Sequence, residues 1–203
     1  MKRFTVVTVV LLLTFSAFAL AQDVKHEITV QGTGFISKET TNNGLINDPT
    51  NSAGFVIGYR YNLNRWFGFE GDFDYFRTSQ KCQGIGTPAS VKTNGYAGTG
   101  SLVVKIPVSS YVRPYALVGG GGIVFDPRDN SSFSSQARGT LVYGGGADIP
   151  LTKAGSDNWL KHVSLRTEYR GFVYKVPDFG RSALNVNKFT HTAVPSVGLV
   201  WSF

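Results

Sequence analysis

The chain has 203 residues, 13% of them aromatic, with 24 glycines, a formal net charge of +7 and a mean hydropathy of −0.04. Modest hydrophobicity with many aromatic residues fits strands that alternate lipid-facing and lumen-facing positions better than one buried core. No run of Lys and Arg concentrates the charge, so we expect anionic lipid head groups rather than nucleic acid as its partners. The single cysteine, Cys82, excludes an intrachain disulfide or a thiolate metal cluster, and we expect no metal and no other cofactor.

The N-terminus has the pattern of a secretory signal peptide. Two basic residues precede an apolar run that ends in small residues. We expect cleavage after Ala21, with Ala19 as the other small residue of the site. This assigns residues 1–21 to the signal peptide and residues 22–203 to the mature domain. A membrane anchor is the alternative, since the run approaches the roughly 20 residues that a spanning helix needs, but the polar residues that follow it favour cleavage.

No segment of the mature domain is continuously apolar over the roughly 18 residues that suggest a spanning helix. A domain that crosses a membrane must then cross it as strands, and only a closed barrel pairs all backbone polar groups of strands within lipid. About eight segments have a suitable alternating pattern. We therefore predict an all-β fold, an eight-stranded antiparallel up-and-down transmembrane β-barrel. Four polar stretches are predicted as external loops: Lys38–Ser52, Thr78–Ala89, Asp126–Ser135 and Val176–Lys188.

The first strand is predicted from about His26 to Ser37, and the next two strands form the clearest hairpin. Its outward face carries aromatic residues such as Tyr59 and Phe73, while Arg60 and Asp72 alternate with them on the other face. An aromatic face is not a solvent face, and an acidic face is not an apolar core. The hairpin therefore indicates lipid on one side and a polar lumen on the other.

The same alternation predicts a set of charged side chains inside the barrel. An eight-stranded barrel is just wide enough for side chains to fill, so opposite charges would pair there and block the lumen. Paired carboxylates could also act as general acid and base, but no nucleophile or convergent histidine accompanies them. The predicted lumen charge network is Arg60, Glu70, Asp72, Asp74, Asp148, Arg166, Glu168 and Arg170.

The last eight residues end the chain on an apolar, aromatic strand face. Ser196, Gly198, Trp201 and Phe203 match the polar-x-Gly-x-x-aromatic-x-aromatic signal that closes bacterial outer-membrane barrels, and the stretch resembles that signal. The resemblance implies recognition by the barrel-assembly machinery. By parity, the two aromatic residues also belong to a girdle at the membrane interface.

Five motifs, in this order along the chain, carry a family resemblance: Glu70-Gly71-Asp72-Phe73, Arg113-Pro114-Tyr115-Ala116-Leu117, Gly144-Gly145-Gly146-Ala147-Asp148, Arg166-Thr167-Glu168-Tyr169-Arg170 and the C-terminal signal. Together they resemble the OmpA-like family of eight-stranded outer-membrane barrels over essentially the whole mature chain. The likeness implies residence in the outer membrane of a Gram-negative bacterium, with outer-membrane lipid and lipopolysaccharide as partners. Many members continue into a peptidoglycan-binding domain, whereas this sequence stops at Phe203, so a tether to the cell wall is unsupported by the resemblance.

We expect no enzymatic activity and no catalytic residues. The best candidate for catalysis is His162-Val163-Ser164 with Glu168, which resembles the His-x-Ser motif of outer-membrane lipid A deacylases. Its predicted position, inward and at the periplasmic end, does not suit a lipid substrate of the outer leaflet. We expect a structural or surface-interaction protein that binds an extracellular ligand through its loops. The alternatives are a narrow pore or transporter of small hydrophobic compounds and a secreted periplasmic β-sandwich.

Overall fold

The computed structural model describes residues 26–37, 40–42, 45–83, 89–108, 111–128, 135–152, 159–177 and 188–203. The predicted signal peptide lies outside these residues. No helix in the described ranges has the length and apolar character needed to cross a membrane. A 3-10 helix at Trp159–His162 is accompanied by ten strands, namely β1 (His26–Ser37), β2 (Thr40–Asn42), β3 (Leu45–Pro49), β4 (Ser52–Asn62), β5 (Phe67–Gln83), β6 (Ala89–Lys105), β7 (Arg113–Pro127), β8 (Gln136–Pro150), β9 (Val163–Lys175) and β10 (Phe189–Ser202).

Eight of these strands, β1 and β4 to β10, form a closed antiparallel up-and-down barrel. Each strand pairs with the next one along the chain, and β1 pairs with both β4 and β10. At the closing seam, Glu27 lies opposite Ser202 and Gly32 opposite Val197. The prediction of an eight-stranded barrel is therefore confirmed. The alternative of a β-sandwich is wrong, because the sheet closes on itself and leaves no edge among these strands.

Side chains alternate between the inside and the outside of the wall along every barrel strand. On β1, for example, Gln31 is 1% exposed, whereas the neighbouring Val30 is 55% exposed. The outer wall carries most of the large exposed apolar residues, such as Phe69, Leu141 and Leu199. Because strand side chains alternate with a period of two, a chain with apolar residues at every second position builds an apolar outer wall around a different interior.

The barrel has two unlike ends. The terminal end carries His26, Phe203 and the turn between β4 and β5, and the opposite end, called the loop end below, carries the connections that follow β1, β5, β7 and β9. Part of the predicted loop structure is wrong. The stretch predicted as the loop Thr78–Ala89 continues β5 to Gln83, which pairs with β6 as far as Cys82 opposite Ala89.

The stretch predicted as the loop Lys38–Ser52 likewise contains β2 and β3, and β3 pairs with β5. The predicted third loop is also shorter than expected, since β7 includes Asp126 and Pro127. All these strands continue because backbone hydrogen bonds hold an antiparallel ladder together, whether or not its side chains alternate between apolar and polar. These stretches were predicted as loops because they are polar, although their strands continue beyond the apolar band.

Candidate functional site

The barrel interior contains all eight side chains of the predicted lumen charge network. They come from β4, β5, β8 and β9, where inward positions repeat at every second residue. The register places Arg60 opposite Glu70 and Asp148 opposite Arg166. None of the eight is more than 6% exposed, and the set is Arg60, Glu70, Asp72, Asp74, Asp148, Arg166, Glu168 and Arg170.

Arg166 is the centre of the ionic layer. Its guanidinium donates to Asp148 through Nε (2.7 Å to Oδ1) and Nη2 (2.9 Å to Oδ2). Nη2 also donates to Glu27 at 3.0 Å, and Nη1 donates to Glu70 at 3.1 Å and to Thr29 at 3.1 Å. One cation thereby ties together β1, β5, β8 and β9. A planar guanidinium with five donors suits this role better than an ammonium group would.

Arg60 and Arg170 extend the ionic layer to either side of Glu70. Arg60 Nε donates to Glu70 Oε2 at 2.5 Å, and Arg170 Nη2 donates to the other carboxylate oxygen at 2.9 Å. Arg170 also lies 2.9 Å from Asp72 Oδ2 through Nη1, and its Nε donates to Glu168. Glu70 therefore contacts all three arginines, and loss of its carboxylate would leave several buried cations with fewer partners.

Four further residues complete the ionic layer, although they were not among the predicted network. Glu27 accepts hydrogen bonds from Asn62 (2.8 Å) and Lys105 (3.0 Å). Tyr115 donates its hydroxyl hydrogen to Glu168, and the guanidinium of Arg60 lies 4.2 Å from the centre of its ring. Alternation along β1 is enough to place Glu27 on the inward face. Alternation alone does not place Lys105 and Tyr115 in the ionic layer, because that depends on which strands face each other across the lumen.

Asp74 is fully buried, and neither of its carboxylate oxygens has a hydrogen-bond partner among the described residues. Asp72 also lacks a hydrogen-bond partner there, but its Oδ2 lies 2.9 Å from Arg170 Nη1. Asp74 follows Asp72 on the inward face of β5, one step nearer the loop end. Asp74 therefore lies between the ionic layer and a second layer of different chemistry.

The second layer is apolar and lies toward the loop end. Phe35 and Phe76 stack with ring centres 4.0 Å apart, while Phe125 lies 6.3 Å from Phe76 and 5.6 Å from Tyr174. The cavity among these rings and Phe172 has a volume of about 10 Å³, roughly the space that one water molecule requires. Alternation predicts that these residues point inward. The prediction of a charged lumen did not include their clustering into a separate layer.

The residues considered for catalysis do not form a nucleophile and base pair. His162 Nδ1 lies 3.0 Å from the backbone oxygen of Ser202, and the buried Ser164 accepts a hydrogen bond from Arg113 at 2.9 Å. Glu168 is engaged by Arg170 and Tyr115. Among the described residues, no three His, Cys, Asp or Glu side chains are grouped to hold a metal ion.

The four residues of the C-terminal motif lie on β10 and at its end. Trp201 and Phe203 point outward and are 62% and 57% exposed, and the Phe203 ring stacks on His26 at 5.5 Å. Ser196 donates to Gln31 on β1 at 3.0 Å. A Cβ added to Gly198 would lie 2.1 Å from the carbonyl oxygen of Val30. The two small residues thus face the closing seam, where β1 and β10 approach closely.

A family model described as "Outer membrane protein beta-barrel domain" matches residues 7–203. None of the curated proteins is significantly similar to the chain in sequence.

Solved structures share the fold at low sequence identity. The outer membrane protein OprG from Pseudomonas aeruginosa has a TM-score of 0.65 and 16% identity, covering 90% of this chain and 97% of its own. Neisserial surface protein A has a TM-score of 0.61 and 15% identity, covering 88% and 97%. Ail, the attachment invasion locus protein of Yersinia pestis, has a TM-score of 0.53 and 19% identity, covering 90% and 100%. At these identities the likeness shows the fold alone.

Proposed function

Because the chain belongs to the outer membrane protein beta-barrel domain family and resides in the bacterial outer membrane, we propose that it is a non-enzymatic surface-interaction protein with a closed lumen. The observation that carries this proposal is that two layers of side chains fill the interior of the barrel. Three buried arginines are paired with carboxylates in the ionic layer, and an aromatic layer lies next to it toward the loop end. A solute would have to break both layers to pass.

The loop end offers the interaction surface. Strands β5 and β6 have 17 residues each, whereas a tilted strand needs only about 10 to span the membrane. Their paired ends therefore project beyond the apolar band as a hairpin, and β3 adds to the edge of β5. A rigid ladder that presents loop residues away from the membrane is a suitable scaffold for binding.

A complex of a structural relative supports an exposed binding surface. Ail of Yersinia pestis, with a TM-score of 0.53 to this chain, has been crystallised with the heparin analogue sucrose octasulfate.

We also propose the finer assignment of the chain to the OmpA-like family, which rests on motifs such as Arg166-Thr167-Glu168-Tyr169-Arg170. The proposal also includes recognition of the C-terminal motif by the barrel-assembly machinery. It further includes contact of the barrel with outer-membrane lipid and lipopolysaccharide.

Conductance tests the closed lumen. The purified barrel, reconstituted in a planar lipid bilayer, should give no large and stable single-channel openings. Such openings from the unmodified protein would reject the closed lumen. The control is a variant in which Glu70, Arg166 and Phe125 are all replaced by Ala, because removal of both layers should increase ion flow if the barrel still folds.

Adhesion tests the interaction surface. Cells that display the protein should adhere to wells coated with heparin or with extracellular-matrix proteins more than cells without it. A variant in which residues 80–91 are replaced by a two-residue Asn-Gly turn joins Ser79 directly to Lys92, which lie opposite each other in the ladder. It should lose that adhesion while remaining a heat-modifiable outer-membrane protein. Equal adhesion of both forms would contradict the proposal.

Transport of small hydrophobic compounds is the second candidate. The observation that favours it is the aromatic layer at the loop end, because rings such as Phe125 and Phe172 could receive an apolar solute. The small cavity and the ionic layer below it argue against passage along the barrel axis. Uptake of an apolar fluorescent dye into liposomes separates the two functions: uptake that requires the barrel supports transport, and uptake equal to that of empty liposomes supports the closed lumen.

A further inference from the structure

A cationic pocket lies near the loop end, and its three cations are on the outer wall. Arg77, Lys92 and Arg128 line it together with uncharged polar residues such as Thr50, Ser79 and Asn94, and its volume is about 330 Å³. None of the described residues that line it is acidic. The described carboxylate nearest in register, Asp126 opposite Asn94, accepts a hydrogen bond from Ser135 at 2.5 Å. The pocket is therefore suited to an anion.

The strand register fixes the height of these cations on the wall. Tyr75 lies opposite Tyr96, then Arg77 opposite Asn94, then Ser79 opposite Lys92. The backbone N–H of Arg128 donates to the Lys92 carbonyl at 2.9 Å, which brings β7 to the same level. The cations therefore follow directly after a row of tyrosines. Aromatic rows of this kind mark the interface between lipid and water.

One of the cations is held by the tyrosine row itself. Arg77 Nε donates to the Tyr75 hydroxyl at 2.8 Å, and its guanidinium lies 5.8 Å from the centre of that ring. The rings of Tyr75 and Tyr96 are 5.3 Å apart. A guanidinium fixed through one nitrogen keeps its other N–H groups for a ligand at the membrane surface.

An apolar groove lies on β1, β4, β5 and β6, on the membrane side of the tyrosines, and shares β5 and β6 with the cationic pocket. It has a volume of about 650 Å³, and Ile57, Tyr59, Gly71, Phe73 and Gly98 are among its lining residues. A Cβ added to Gly98 would meet no atom within 4 Å, so the depression exists because side chains are missing there. From Phe73 to Arg77 is four residues, or roughly 13 Å along a strand.

Building on the contact with lipopolysaccharide proposed above, we propose that the cationic pocket and the groove together bind a phosphorylated glycolipid of the outer leaflet. Its phosphate would pair with Arg77, Lys92 and Arg128, and an acyl chain would lie along the groove past the tyrosines. Guanidinium groups form charge-assisted, often bidentate hydrogen bonds with phosphate. A soluble polyanion would use the cations alone. The groove in the lipid-facing wall, which shares β5 and β6 with these cations, favours a ligand that has both an anionic head and an apolar tail.

Binding of bis-phosphorylated lipid A to the full mature barrel in phosphatidylcholine nanodiscs tests this proposal. The double variant Arg77→Gln/Arg128→Gln should weaken binding at least about tenfold, since charge-assisted hydrogen bonds are lost. The matched control Arg65→Gln/Lys161→Gln removes the same charge from exposed residues at the terminal end and should bind like the unmodified protein. Heat-modifiable mobility shows that each variant is folded.

The groove has its own matched pair of variants. Gly98→Leu fills the groove, while Gly139→Leu adds the same side chain on β8, where a Cβ also meets no atom within 4 Å. Gly98→Leu should weaken lipid A binding severalfold and Gly139→Leu should not. Neither should alter binding of sucrose octasulfate or inorganic phosphate, which have no acyl chain.

Three results would overturn the proposal. Unchanged lipid A affinity in the Arg77/Arg128 variant would remove the cations from the site. An equal loss in the Arg65/Lys161 control would mean that net charge alone attracts the lipid. If sucrose octasulfate binds through the same arginines at least as tightly as lipid A, and Gly98→Leu has no effect, the pocket serves a soluble polyanion instead.

Discussion

Arg166 and Asp148 lie directly opposite each other on neighbouring strands, and the arginine donates two parallel hydrogen bonds to the carboxylate, at 2.7 and 2.9 Å. Both side chains are buried inside the barrel. The same guanidinium also donates to Glu27 and Glu70. Since one cation is shared by three carboxylates, its removal affects the whole layer rather than one pair.

We predict that Arg166→Met destabilises the barrel by roughly 3–5 kcal/mol, because it leaves buried carboxylates without their main cation. Urea unfolding in phosphatidylcholine vesicles would measure the change. Arg65→Met is the matched control: it removes an exposed arginine from the β4–β5 turn and should change the free energy of unfolding by no more than about 0.5 kcal/mol. Equal stability of the two variants would contradict a cooperative ionic layer.

Phe125→Ala should lower the stability of the barrel without opening its lumen. Phe125 is buried between Phe76 and Tyr174, and removal of its ring should cost about 3–5 kcal/mol of unfolding free energy. Ion conductance should nevertheless stay at the background level, because the ionic layer remains in place below. Stable channel openings in this single variant would show that the aromatic layer alone closes the lumen.

Gly198→Ala should impair closure of the barrel. The added methyl group would lie 2.1 Å from the Val30 carbonyl oxygen and 2.5 Å from the Cα atom of Gln31, so β1 and β10 would have to separate. We expect a loss of about 1–3 kcal/mol and a smaller heat-modifiable fraction after refolding in detergent. Gly32→Ala on β1 is the control, because its Cβ would lie 4.0 Å from the nearest neighbour. Normal refolding of Gly198→Ala would refute this steric role.

Phe203→Ser tests the C-terminal motif as an assembly signal. The ring is 57% exposed on the outer wall, so its loss should leave refolding of the purified chain in detergent nearly unchanged. In cells, the amount of protein in the outer membrane should fall severalfold. Phe69→Ser is the matched control, since that ring is 54% exposed near the same end of the barrel. Comparable losses in cells for both variants would indicate a general need for apolar surface instead.

Alternation along the sequence was sufficient to assign most side chains to one face of the wall. Phe73 and Asp72 differ by one position, and they lie on the lipid face and in the lumen because successive side chains point in opposite directions. The same rule, applied along the chain, predicted the number of barrel strands. It could not predict where β5 ends, because its outer part is held by backbone pairing with β3 and β6 rather than by an apolar face.

Alternation with a period of two is enough to predict a barrel with an apolar outer wall and a charged interior, because it assigns each side chain to one face of its own strand before any strands pair. Which residues lie at the same height in the barrel depends on how the strands pair in the folded protein. Glu27 contacts Arg166, 139 positions away, and Arg77 lies beside Lys92 and Arg128 on the outer wall. Strand tilt and stagger set those heights when the sheet closes, and no local pattern encodes them.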